Sequence, residues 1–290
     1  MELQTKVDIP TPPFSVSECS RTMFLGSCFA ENMGSRMAEN QFPCVVNPTG
    51  VLYNPLSIFQ VLGQLQARKF DAECFLFHDG EGRWGSWLHS TLFSAATREA
   101  CLGQITASFD TALHLYEQMD VLVLTFGTNH YYRLKERPLI VSNCHKQPAA
   151  LFEEHEASVA GMLEYSCPLL SELFRQNQHL RVILTVSPYR YLKYGAHGNR
   201  LVKAALMLYA HELEKSYPDR ITYFPAYEIL EDELRDYRFY ADDMVHPSSL
   251  AVQYIWERFT QCYFTPSALA QVARMRPILK AQAHRTHSKS

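Results

Sequence analysis

Two short stretches near opposite ends of the chain carry side chains suited to acyl chemistry. Ser27 follows the apolar run Arg21-Thr-Met-Phe-Leu-Gly26 and opens SCFAENMGSRMAEN, where Phe29, Met33 and Met37 recur at every fourth position. That pattern predicts a strand, a tight turn and an amphipathic helix. A hydroxyl at such a junction meets the unpaired first-turn N–H groups and the positive end of the helix dipole, which favour a developing negative charge. It suits a nucleophile; on position alone, the same hydroxyl also reads as a helix N-cap. The second stretch is Asp243-Met-Val-His246-Pro247. In a D-x-x-H turn the carboxylate can reach imidazole Nδ1, fixing the tautomer so that Nε2 can take a proton from a serine. Pro247 lacks an N–H and presets a first helical turn, placing His246 at a loop-to-helix junction. D-x-x-H alone reads equally as a surface pair, so its weight comes from the serine.

Bringing these stretches to one place is the task of the elements between them. Cys44-Val-Val-Asn47 reads as a buried strand, and Asn54-Pro55 as the cap and first-turn proline of a helix. Residues 74–89, CFLFHDGEGRWGSWLH, read as a β-hairpin. A helix is expected over 97–118, followed by Asp120-Val-Leu-Val-Leu-Thr-Phe126, whose unbroken apolar run implies burial on both faces of a parallel sheet. A second hairpin is expected over 131–141 and a helix over 153–176. Then come the strand Arg181-Val-Ile-Leu-Thr-Val-Ser187, a helix over 200–215, the strand Ile221-Thr-Tyr-Phe224 and a last helix after Pro247. This alternation predicts an α/β fold: a three-layer α/β/α sandwich around a central parallel sheet of about five strands, with small β-hairpin insertions outside it. Residues 1–265 are expected to form one domain, and 266–290 a basic C-terminal tail, helical and then disordered. Ligands of such sheets sit beyond the carboxyl ends of the strands. Gly26-Ser27, the 47–50 turn, 127–129 and 187–190 are thereby singled out.

Gly26-Ser27-Cys28-Phe29-Ala30 spells the motif that names the GSCFA family. FLGSCFAENMG, NPTGVLYNP, FHDG, LTFGTN, SNCHK, TVSPYR and DDMVHPS look like that family's blocks, in order, over roughly residues 20–262. The family resembles SGNH-type serine hydrolases in its early serine and late D-x-x-H. The resemblance implies an SGNH-like, flavodoxin-like sheet in which Ser27 is acylated and His246, oriented by Asp243, moves the protons. It also implies an oxyanion hole built from the N–H of Ser27, the N–H of Gly50 and the side-chain amide of Asn129, where each preorganised donor is worth ~3 kcal/mol of transition-state stabilisation. Two departures stand out. The usual G-D-S is replaced by Gly26-Ser27 without the aspartate, and G-x-N-D becomes Gly127-Thr128-Asn129-His130.

Other polar residues fall where the sheet should open: His89, Asn143, His145, Arg190, His197 and Asn199 are candidates for substrate binding. Arg190 is the strongest for anion recognition, because a guanidinium holds a carboxylate or phosphate bidentately. A thiol mechanism at Cys28 or Cys144 is the nearest rival. Cys144 and His145 are adjacent and so would point to opposite sides of a strand, and Cys28 is expected to face the core with Phe29. A nucleotide-binding module would need a G-x-G-x-x-G directly after the first strand or a G-x-x-x-x-G-K-[ST]; the first strand is followed by no such glycine pattern, and the second motif is absent from the sequence.

Composition narrows the class further. Five basic residues and no acid lie within 271–290, leaving 22 Lys+Arg against 30 Asp+Glu in residues 1–270. An acidic body argues against a nucleic-acid groove. The start lacks an apolar signal region, no apolar run is long enough for a membrane span, and the eight cysteines show no C-x-x-C pair, a usage that predicts a reducing, cytoplasmic setting. The expected function is esterase or deacylase action, through an acyl-enzyme, on an acylated carbohydrate or related small ester, with no cofactor required. The alternatives are an acyltransferase with the same triad, or a catalytically inactive carbohydrate-binding or scaffold protein.

Overall fold

A computed structural model describes residues 5–287. In chain order the elements are β1 (Thr22–Gly26), α1 (Cys28–Glu39), β2 (Cys44–Val46), α2 (Pro55–Gln66), α3 (Ala72–Phe75), β3 (Leu76–His78), β4 (Trp84–Ser86), α4 (Arg98–Tyr116) and β5 (Val121–Phe126). There follow β6 (His130–Leu134), β7 (Ile140–Val141), β8 (Phe152–Glu156), α5 (Val159–Gln176), β9 (Arg181–Val186), α6 (Gly195–Ser216), β10 (Ile221–Tyr223), α7 (Ala226–Glu228), α8 (Ser249–Tyr263) and α9 (Pro266–His287). Five strands form one parallel sheet in the order β10-β9-β5-β1-β2.

Side chains alternate between two cores, as the period of a strand requires. Met23 and Leu25 of β1 and Leu122, Leu124 and Phe126 of β5 face a core filled by α2, α5 and α6. Phe24, Val121 and Val123 face the opposite core, which holds Phe29, Met33 and Met37 of α1 and Ile255 and Phe259 of α8. The four-residue spacing in α1 therefore marks its buried stripe, and the three-layer sandwich is the observed architecture. Helix starts follow their capping residues: Asn54 Oδ1 accepts from Ser57 N at 2.9 Å, with Pro55 in the first turn.

The chain runs from β1 outward to β2 and returns to place β5 on the other side of β1. This reversal makes the region beyond the carboxyl ends of β1 and β5 a topological switch point, the crevice position that ligands of open α/β sheets usually take. Gly26 makes the approach possible. Its φ is +144°, and a Cβ there would lie 2.2 Å from Thr125 O; no other residue lets β1 turn into Ser27 so close to β5.

Both hairpins lie outside the central sheet: β3 pairs antiparallel with β4, and β6 with β7. One expectation needs correction. Residues 152–156, expected near the start of a helix, form β8, which pairs with β6 and completes a three-stranded sheet; α5 begins only at Val159, capped by Ser158. The segment expected as a helical tail is the helix α9, whose start packs on the domain: Ala268 is buried in the second core and Gln271 donates to Asn40 O at 2.8 Å. The disordered end expected beyond that helix falls on 288–290, outside the described residues. Among the described residues, no helix is long and apolar enough to cross a membrane.

Candidate active site

Ser27 sits at the crevice as the N-cap of α1. Its Oγ accepts from Phe29 N at 3.2 Å and the residue is 1% exposed. Cys28, the first helical residue, belongs to neither core and is half-buried, within electrostatic range of Lys203, Tyr53 and Tyr189. The expectation that it faces the core is therefore corrected: α1's buried stripe starts at Phe29, and Cys28 falls to the side of it. Burial pushes the Cys28 thiol above its ordinary pKa.

The D-x-x-H segment is a tight loop held at its base by the Tyr240–Pro247 bridge and by Ala241 N donating to His246 O at 2.8 Å. Met244 takes a left-handed φ of 58° at its tip. Asp243 Oδ1 accepts from the N–H groups of Val245 and His246, each at 2.9 Å, while Oδ2 accepts from His246 Nδ1 at 2.5 Å. The imidazole proton must therefore lie on Nδ1, since a carboxylate offers only acceptors. The His246 bond, then the two backbone donors, hold the Asp243 carboxyl down to about 2. Nε2 is left without a hydrogen-bond partner among the described residues, and no hydrogen bond joins it to Ser27 Oγ.

Two residues after β9 hold this loop in place. Tyr189 packs its ring against the His246 ring, centroids 4.7 Å apart. Arg190 donates from its backbone N to Val245 O at 3.0 Å and from Nη1 to Met244 O at 2.9 Å, with its guanidinium over Tyr240. The guanidinium expected to recognise an anion is thus engaged in clamping the loop.

The three expected oxyanion donors are all near the crevice, and all are engaged. Ser27 N donates to Thr125 O at 3.2 Å and Gly50 N to Asn47 O at 2.8 Å. Asn129 Nδ2 donates to Glu156 Oε1 at 3.2 Å and Ala157 O at 3.0 Å, which uses both amide hydrogens, while its Oδ1 is buried without a partner. Gly127 is a direct neighbour of Ser27: a Cβ built on it would lie 3.7 Å from Ser27 Cβ.

The remaining candidates divide between two places. His89 and His145 lie in the hairpin layer, where Ser86 accepts or donates through Oγ to His89 Nδ1 and accepts through O from His145 Nε2, both at 2.8 Å; Asn143 Oδ1 accepts from His145 N. Asn199 Oδ1 accepts from Tyr191 N at 2.7 Å, tying the loop after β9 to α6, and His197 is exposed on the first turn of that helix. Asn199 is thus a support of the site. Sequence reasoning missed Tyr189, although it falls within the segment singled out after the fourth sheet strand, and it missed Tyr53 and Lys203. Among the described residues, no three or more His, Cys, Asp or Glu side chains converge as metal ligands would.

His89 is 2% exposed, and burial, then the neighbouring His145, push it from 6.5 down to about 3. Its folded pKa lies below its unfolded one, so from about pH 6.5 down to about 3 the unfolded chain holds a proton that the folded chain does not. Stability is therefore lost as pH falls through that window, by up to about 1.4 kcal/mol per pH unit for one proton. Urea denaturation between about pH 6 and 4 should show a shallower pH dependence in His89→Asn than in the wild type; equal slopes would remove His89 as the group responsible.

Comparison of the sequence with curated proteins gives no match. A family model described as the GSCFA family matches residues 21–259, from the start of β1 through most of α8 and so across every residue placed at the crevice. The chain belongs to the GSCFA family.

Proposed function

We propose that this protein is an SGNH-type esterase or deacylase that works through an acyl-enzyme formed at the first turn of α1. The observation that carries this reading is the Asp243–His246 pair at 2.5 Å, with the proton on Nδ1 and Nε2 unbonded. An imidazole so held is a general base whose conjugate acid the carboxylate stabilises. In the leading reading Ser27 is the nucleophile and water the acceptor of the acyl group. Because no bond yet links Ser27 to His246, substrate binding would have to tighten that contact, as catalytic hydrogen bonds often do. The engaged oxyanion donors would likewise have to be released or replaced, and the first-turn N–H groups of α1 are the nearest donors without intrahelical acceptors.

A second reading, in which Cys28 is acylated, is favoured by one observation: the Ser27 hydroxyl is buried and occupied as a cap, whereas Cys28 is partly exposed. The substrate class in both readings is an acylated carbohydrate or related small ester. Tyr53 and Tyr194 are 46% and 39% exposed, and Tyr194 adjoins Tyr191 in a ring cluster that continues through Tyr189 to His246. Such faces suit a sugar ring. Eight free cysteines support a reducing compartment, which we propose is the cytoplasm.

A panel of short-chain p-nitrophenyl esters and acetylated sugars tests the function. Turnover of esters, with preference for an acylated sugar, is expected; a wild-type protein inert to the whole panel and to acyl acceptors would overturn it.

A further inference from the structure

Lys203 lies on the apolar face of α6 with Val202, Leu206, Tyr209, Ala210 and Leu213, and is 0% exposed. A methionine or leucine would suit that stripe better, because an ammonium loses its hydration on burial. Nζ instead donates to Gly127 O at 3.0 Å and Ser187 O at 2.9 Å and lies 5.4 Å from the centre of the Tyr227 ring. These two carbonyls belong to the first residues beyond β5 and β9, adjacent strands whose ladder ends where Ser187 N donates to Phe126 O. Past this point the two chains part. Gly127 turns toward Tyr53 and Ser27, while Ser187 leads to Tyr189 and its contact with His246. One buried nitrogen therefore spans the root of the nucleophile side and the root of the base side.

The other groups within its electrostatic range are Cys28 from α1 and Glu231 from the turn after α7, the latter already paired with Arg200 at 2.7 Å. No carboxylate is hydrogen-bonded to Nζ. Burial lowers the Lys203 pKa to about 7, with Cys28 and Glu231 acting in the opposite direction, so the charge beneath α1 is itself adjustable near neutrality.

We infer that Lys203 is the positioning residue of this site: it fixes the spacing of Gly127 and Ser187, and its charge beneath the first turn of α1 favours an anion formed there. The inference rests on reading that turn as the place of acylation. Its mark is charge-dependent reactivity at Cys28, which can be measured without a substrate. Iodoacetamide alkylation of full-length protein, followed on the tryptic peptide that contains Cys28, should be about fivefold slower in Lys203→Met than in the wild type at about pH 6.5. The difference should shrink toward pH 9 as wild-type Lys203 loses its proton. On an ester substrate the same variant should lose kcat with KM within about twofold. Alkylation rates that match the wild type across this pH range would overturn the inference, whatever the ester assay shows. A wild type that alkylates as expected but turns over no ester would instead count against the proposed function. Should Lys203→Met not fold, Lys203→Gln retains a donor without the charge, and slower or unchanged alkylation in that variant supports or overturns the inference in the same way.

Discussion

His246→Ala should lower ester turnover by about a thousandfold while leaving the fold intact. The side chain is nearly half exposed, with its ring against Tyr189 and its Nδ1 on Asp243, so its removal opens no core cavity. The loop keeps its backbone bonds, including Ala241 N to His246 O. Loss of activity with unchanged thermal unfolding would therefore report the missing base. Asp243→Asn should act through the same imidazole. An amide can present an N–H to Nδ1, which would favour the wrong tautomer and move the proton to Nε2. Asp242→Asn, one residue away and exposed, is the control, because Asp242 makes no contact with the imidazole. Turnover should fall far more for Asp243→Asn than for Asp242→Asn; equal losses would mean that charge near the loop, and not the Nδ1 contact, matters.

The second large effect belongs to the first turn of α1. Ser27→Ala removes the cap bond to Phe29 N, which by itself costs about 1 kcal/mol of stability. If Ser27 is also the nucleophile, turnover should fall by about a thousandfold or more, far beyond what a frayed helix end explains. Cys28→Ser should then have little effect. In the thioacyl reading the order reverses: Ser27→Ala shows a lower Tm and modestly reduced kcat, and Cys28→Ala abolishes turnover. Retention of wild-type turnover by both Ser27→Ala and Cys28→Ala would contradict acylation at this turn.

The strands were legible because parallel strands buried on both faces must read as unbroken apolar runs, as Val121–Phe126 does. The Asp243–His246 pair was legible because its geometry is local: three residues and one tight turn. The hydrogen-bond state of the Ser27 and Gly50 N–H groups was not legible, since it depends on the turns around Thr125 and Asn47. Phe152–Glu156 was misplaced for a related reason. Its FEEHE sequence carries little apolar signal, and it is a strand because β6 offers an edge to pair with, flanked by the Lys193–Glu154 ion pair at 2.8 Å. Lys203 did leave a trace, a charged residue inside an otherwise apolar helical stripe, although its carbonyl partners come from two distant strand ends.

The most direct measurement combines a fluorophosphonate probe and iodoacetamide with peptide mapping by mass spectrometry. Cleavage after Arg21 and Arg36 yields one peptide containing both Ser27 and Cys28. In the wild type a single fluorophosphonate adduct is expected on that peptide at Ser27, or, if the thiol is the nucleophile, substrate-protected alkylation at Cys28; in His246→Ala either modification should be strongly slowed. No modification of this peptide, or one that proceeds equally well without His246, would contradict an acyl-enzyme at the head of α1.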